Sequence, residues 1–208
     1  ALSDQPQEEL FCLLNEHLQR LAVAPPQQVL PHLTHAIFQL LVLAGIAPQV
    51  HLCCVTRQSL IPDFAQPAWR SGFSTPAGGT VTLEALEALK TQKPKPVVAS
   101  RPHSQATALV DSLTPGTRVT ESPAVYRQAS SGATMLHVPI TATELDLLQK
   151  LAQAELPNTV ESGVHNDVPS IKVWSSIERI LRYYAQYHFD RPIRSATLMD
   201  TCLLPTVP

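Results

Sequence analysis

His51, Cys53 and Cys54 lie within four positions of one another and are the first residues here that could do chemistry. Imidazole and thiolate hold zinc, and a thiol beside a histidine can act as a nucleophile. A structural zinc site takes about four ligands in a tetrahedron, normally supplied by two Cys-x2-Cys clips. In this chain the position three after Cys53 is Thr56, and the stretch after the Gly78-Gly79 turn reads Thr80-Val81-Thr82. The spacing therefore predicts no assembled metal site, and buried thiols in a small hairpin instead. Eight histidines and four cysteines in 208 residues also produce Cys/His pairings by chance, and no nucleophile signature surrounds any of them. Ser130-Ser131-Gly132 and Gly78-Gly79 lack the spacing and the flanking lysine of a phosphate loop. From these residues we expect no catalysis and no cofactor.

The segment from Ser170 to Leu198 carries the remaining candidates. At 3.6 residues per turn, Trp174, Ile177, Leu181, Tyr184 and His188 share one stripe, which should face a core. Lys172, Arg179, Arg182, Tyr183 and Gln186 fall roughly opposite and should meet solvent or a partner. Guanidinium groups grip phosphates bidentately and tyrosine rings stack on unpaired bases, a combination suited to single-stranded nucleic acid. Basic residues beside an apolar groove equally suit a short acidic peptide ending in hydrophobic side chains. The plain alternative is a solvated helix face. Arg179, Arg182, Arg191 and Arg194 are the candidate nucleic-acid or acidic-peptide ligands.

Charge bears on that choice. The chain carries a net −2, yet residues 1–24 sum to −3 and residues 172–194 to +3. Such asymmetry can place a basic footprint on a nearly neutral protein. The net negative charge favours a short acidic peptide over nucleic acid as the ligand of the arginines. No apolar run reaches the roughly eighteen residues of a membrane span. The longest, Ala36 to Ile46, is interrupted by Gln39, and a soluble protein is expected. The beginning of the chain lacks the order of a secretory signal, and four scattered cysteines form no disulfide framework, which points to a reducing cytoplasm. Absence of an initiator Met suggests a processed chain or a fragment.

The positioning elements follow from periodicity. Gln7 to Ala22 repeats Leu10, Phe11, Leu14, Leu18 and Leu21 at helical spacing, with Ser3 or Asp4 as cap, and Pro25-Pro26 stops it. Gln28 to Ala44 is the most apolar helix and the expected central one, with Pro31 in its first turn or marking its true start and Gly45 as its stop. Residues 50–82 change period and read as an irregular β-hairpin subdomain, followed by a short helix, Leu83 to Leu89. Residues 91–135 mix Pro, Ser, Thr, Gln and Gly without period and read as a flexible loop. A helix at Thr143 to Ala152, a second loop at 156–170 and the terminal helix pair complete one mainly α domain over 1–208.

Four segments occur in an order that resembles RecO, the bacterial recombination-repair mediator. They are Pro6-Gln-Glu-Glu-Leu-Phe11, Phe38 to Gln49, Phe73-Ser-Thr-Pro-Ala-Gly-Gly79, and Leu181 to His188 followed by Arg194-Ser195. The loop at 91–135 contributes nothing to the likeness. The resemblance implies a non-enzymatic protein that binds single-stranded DNA and the acidic, Phe-ending tail of single-strand-binding protein. It further implies action with RecR to help load RecA, and annealing of complementary strands. RecO proteins begin with an OB-fold barrel, and no five-strand pattern precedes the first helix here, so the chain looks like the helical region alone. Many members carry a four-cysteine zinc site at the hairpin; Thr56 and Thr80-Val81-Thr82 depart from it, leaving packing to hold the hairpin. The alternative function is a helical protein-interaction module without DNA binding.

Overall fold

The computed structural model describes residues 7–91, 135–153, 155–157, 169–193 and 195, all within one packed unit. Helix α1 (Glu8–Val23) starts without a side-chain cap, its first-turn Glu8 and Glu9 favourably placed against the helix dipole. Ser3 and Asp4, the expected caps, lie outside the described residues. Helix α2 (Pro26–Leu43) begins on Pro26, whose fixed φ suits a first helical position. This start is earlier than the sequence suggests, so Pro31 sits in the second turn and not the first; one intrahelical N–H is lost there. Gly45, at φ +72°, ends α2 as expected. Its N–H donates to the Val42 carbonyl and that of Ile46 to the Leu41 carbonyl, the paired bonds of a left-handed helix stop.

Residues 50–60 are not a strand. They turn irregularly, with single bridges pairing Gln49 with Gly79 and Leu52 with Ser59. The sheet is built from β1 (Arg70–Ser74), β2 (Gly79–Val81) and β3 (His137–Thr141), antiparallel in the order β2-β1-β3. Strand β3 was not legible as a strand because Pro139 interrupts it; proline is tolerated here since β3 is an edge. Helix α3 (Leu83–Thr91) follows β2, and Leu86 packs so closely under β1 that a Cβ on Gly72 would press into it. Apart from its end residues, the 91–135 loop lies outside the described residues, as does most of the 156–170 loop.

Helix α4 (Ala142–Leu151) is capped by Thr141, whose hydroxyl accepts the Glu144 N–H while the Glu144 carboxylate accepts the Thr141 N–H. Leu145, Leu147, Leu148 and Leu151 are buried, as their spacing implies. Helix α5 (Ile171–Phe189) lies along α2, and these two helices with α4 and the sheet enclose Phe38, Leu41, Phe73, Leu86, Ile140, Ile177 and Leu181. Among the described residues the architecture is mainly α with a small three-stranded sheet. Helix α1 departs from its pattern: it packs on α2, but Leu10, Phe11, Leu14 and Leu18 are exposed, Phe11 by 71%. Only part of its apolar stripe is covered.

Candidate functional site

Trp174, Ile177, Leu181 and Tyr184 face the core, as their stripe requires. Tyr184 meets Phe73 edge to face at 5.8 Å, and its hydroxyl lies 3.5 Å from the Gly78 carbonyl, tying α5 to the hairpin turn. Burial, reinforced by the nearby Cys54 thiol, pushes the Tyr184 phenol up to about 12, so it stays a neutral donor. His188 is a correction to that stripe: it is exposed, because α5 runs past the core before it ends at Phe189. Its ring still rests 4.2 Å from that of Tyr184 and 5.2 Å from that of Tyr187. The aromatic series Phe73, Tyr184, His188, Tyr187 therefore runs from core to surface.

On the outer face of α5, Lys172 and Arg179 are exposed, with Tyr183, Gln186 and Tyr187 half-buried. Arg182 does not join them. Three residues on from Arg179 an α-helix falls about 60° short of a full turn, which carries Arg182 off the outer face. Its side chain is buried, and Nε donates to Glu178 Oε1 at 2.9 Å, one turn back on the same helix. Burial without a partner would be costly for a guanidinium, and the carboxylate at i−4 supplies one. The Arg182 guanidinium also lies 5.8 Å from the centre of the Tyr183 ring, steadying the tyrosine beside Arg179.

Arg191 is exposed just beyond the α5 stop, where Asp190 takes the left-handed conformation at φ 50°. Exposed Phe189 and Ile193 flank it in sequence, two positions to either side. Arg194 and the expected second short helix lie outside the described residues. The four arginines thus divide into Arg179 on the outer face, Arg182 in an internal ion pair, Arg191 at the helix end, and Arg194 outside.

At the hairpin, Cys53 is fully buried, Cys54 half-buried and His51 exposed. Burial raises the Cys53 thiol, but the Thr56 hydroxyl, together with N–H groups of Thr56, Thr82 and Val55, hydrogen-bonds the sulfur and leaves the thiol below its ordinary value. Those of Thr56 and Thr82 are each 3.3 Å from Sγ. Thr56 and Thr82, which stand where the cysteine clips would be completed, thus supply hydrogen-bond donors to one sulfur, and their side chains bring no thiolate. Among the described residues no group of three or more His, Cys, Asp or Glu could hold a metal ion, and the hairpin's own donors, Cys53 and Cys54 with threonines at the other positions, do not fit a four-cysteine zinc site. Hydrogen bonds span the place instead: Thr80 Oγ1 donates toward the Gln49 and Leu52 carbonyls, and Gln149 Nε2 donates to those of Val50 and Leu60.

One pair escaped the sequence reading. His17 on α1 and His35 on α2 are both buried, their rings edge to face at 5.6 Å. The signal was present: Leu13, His17 and Leu21 repeat at i, i+4, i+8, which places the imidazole in the middle of the inner face of α1.

Residues 2–99 match the family described as Recombination protein O C terminal. A protein of Nostoc sp. called DNA repair protein RecO is 45% identical over 204 residues, covering 97% of this chain and 62% of that protein. A Cyanothece sp. protein of the same name is 42% identical over 213 residues, covering 100% of this chain and 64% of its own length. One from Gloeobacter violaceus is 30% identical over 206 residues, with 99% and 56% covered. The chain therefore spans less than two thirds of the length of these relatives. No solved structure matches. No helix among the described residues is long and apolar enough to cross a membrane.

Proposed function

The chain belongs to the RecO family, and from that membership we propose that it is the helical part of a recombinational repair mediator, a binding protein without catalysis. In this reading it binds single-stranded DNA and the acidic tail of single-strand-binding protein, and acts with RecR to help load RecA and to anneal strands. The observation that supports DNA binding is the outer face of α5. Lys172 and Arg179 stand two turns apart beside Tyr183 and Tyr187, so phosphates can meet cations while bases stack on half-buried rings. Because Arg182 is committed to Glu178, the working contacts of that face are Lys172 and Arg179, joined at the helix end by Arg191.

A second reading rests on Phe189, Arg191 and Ile193. A cation flanked in sequence by two exposed apolar side chains suits an acidic peptide with hydrophobic residues, and it would serve a module that binds protein but not DNA. Titrating the chain with labelled single-stranded DNA and, separately, with an acidic Phe-ending peptide distinguishes the two. Loss of DNA binding in Lys172→Ala/Arg179→Ala with peptide binding intact supports the first. Peptide binding that Arg191→Ala abolishes, in a chain that binds no DNA, supports the second.

A further inference from the structure

Helix α1 is anchored in an unusual way. His17 is its one buried residue, so the seam between α1 and α2 centres on an imidazole where a leucine would ordinarily sit. Facing it across the seam is His35, 1% exposed, its ring edge to face with that of His17. His35 Nε2 lies 3.3 Å from the Gln153 carbonyl just beyond α4, an acceptor for its neutral Nε2–H form. The same carbonyl takes a hydrogen bond from Gln39 Nε2 at 2.9 Å. Among the described residues His17 Nε2 has no hydrogen-bond partner, although it is buried.

The charged and titratable groups around the pair are few. From α1 come Glu16 and Arg20, which pair with each other at the surface, and from α2 comes half-buried His32; the α4 end contributes the uncharged Gln153 carbonyl. Among the described residues, the Gln153 carbonyl favours a proton on His35 and Glu16, already engaged with Arg20, favours one on either ring, but burial outweighs both. Two imidazolium rings in this seam would lie close together, buried, and near the Arg20 guanidinium.

We propose that the His17–His35 contact is an acid-sensitive latch that holds α1 on α2 while both rings are neutral and releases α1 when they take up protons. Burial is the largest influence and lowers both imidazoles below the ordinary 6.5; at His17 the His35 ring and Arg20 add to it, and at His35 the Gln153 carbonyl opposes it without cancelling it. The direction of the pH dependence follows. Above 6.5 docked and released forms are both neutral and the latch holds fully. As pH falls below 6.5 the released helix binds protons that the docked helix refuses, and docking weakens. The released helix would carry away the acidic residues Glu8, Glu9 and Glu16 together with its exposed apolar stripe.

Amide hydrogen exchange of the 208-residue chain at pH 7.5 and 5.5, corrected for intrinsic rates, tests the latch. Protection of the α1 amides should drop several-fold at the lower pH, as preferential proton uptake by the released helix requires, while α4 and α5 stay protected. In His17→Leu, which keeps an apolar contact and leaves only His35 to titrate, α1 should lose less protection between the two values than in the parent. Unchanged α1 protection in the parent chain, or the same loss in His17→Leu, overturns the proposal. An NMR titration of the parent imidazoles serves even where the variant fails to fold. Midpoints for His17 and His35 below 6.5 support the latch, and midpoints at or above it overturn it.

Discussion

Arg182 Nε donates to Glu178 Oε1 at 2.9 Å, and both side chains are buried within α5. A basic residue that the helical wheel assigns to the outer face is thereby a structural element of the inner one. Removing either partner alone leaves the other charge buried. Arg182→Ala or Glu178→Ala should cost about 3–5 kcal/mol in urea unfolding, whereas Arg182→Met with Glu178→Leu should come much closer to neutral. Arg179→Ala, on the exposed face, should change stability by less than about 0.5 kcal/mol. Equal costs at Arg179 and Arg182 would contradict the distinction.

The hairpin should stand without zinc. Cys53 Sγ accepts N–H groups from Thr56 and Thr82, and Thr80 and Gln149 bond across the turns that a metal would otherwise clip. Metal analysis of the purified chain should find well below one zinc per molecule, and a chelator should leave the helical circular dichroism unchanged. One tightly held zinc whose removal unfolds the chain is the contrary result.

Leu41 on α2 and Leu181 on α5 are buried in the core these helices share. Leu41→Ala and Leu181→Ala should each cost about 2–5 kcal/mol, read from the denaturation midpoint at constant slope. Changes in the range of surface substitutions at both sites would mean that the helix registers are wrong.

Gly79 has φ +147°, and a Cβ there would collide with the backbone of Gln49, to which this strand end is bridged. Gly79→Ala must therefore strain its own backbone and break the contact that closes the hairpin, costing at least about 1–3 kcal/mol. Gly45→Ala meets open space and has only its own left-handed conformation to oppose it, so its thermal melt should shift less.

Periodicity was enough where one face of an element is buried against another. The leucines of α4 and the Trp174-Ile177-Leu181-Tyr184 stripe of α5 lie where their spacing puts them. It was insufficient in three places for physical reasons. Strand β3 contains Pro139, which an edge position tolerates but a strand pattern does not advertise. Helix α1 has the amphipathic pattern of a covered helix, yet spacing cannot say what covers Leu10, Phe11, Leu14 and Leu18. Arg182 was misplaced because a wheel divides a helix into two faces, whereas an intrahelical ion pair lets a charge lie at the buried margin. That the hairpin's backbone donors converge on the Cys53 sulfur is not written in any spacing, because Thr56 and Thr82 are 26 positions apart and meet there only when the chain folds back.

The most direct test of the central claim, that the outer face of α5 receives single-stranded DNA, is the salt dependence of binding. For the parent chain the logarithm of affinity should fall linearly with the logarithm of salt, with a slope of roughly −0.7 per contacted phosphate. Lys172→Ala/Arg179→Ala should keep the circular dichroism of the parent and flatten that slope by about 1.4, two phosphate contacts' worth. A double variant whose slope and affinity match those of the parent would contradict the account.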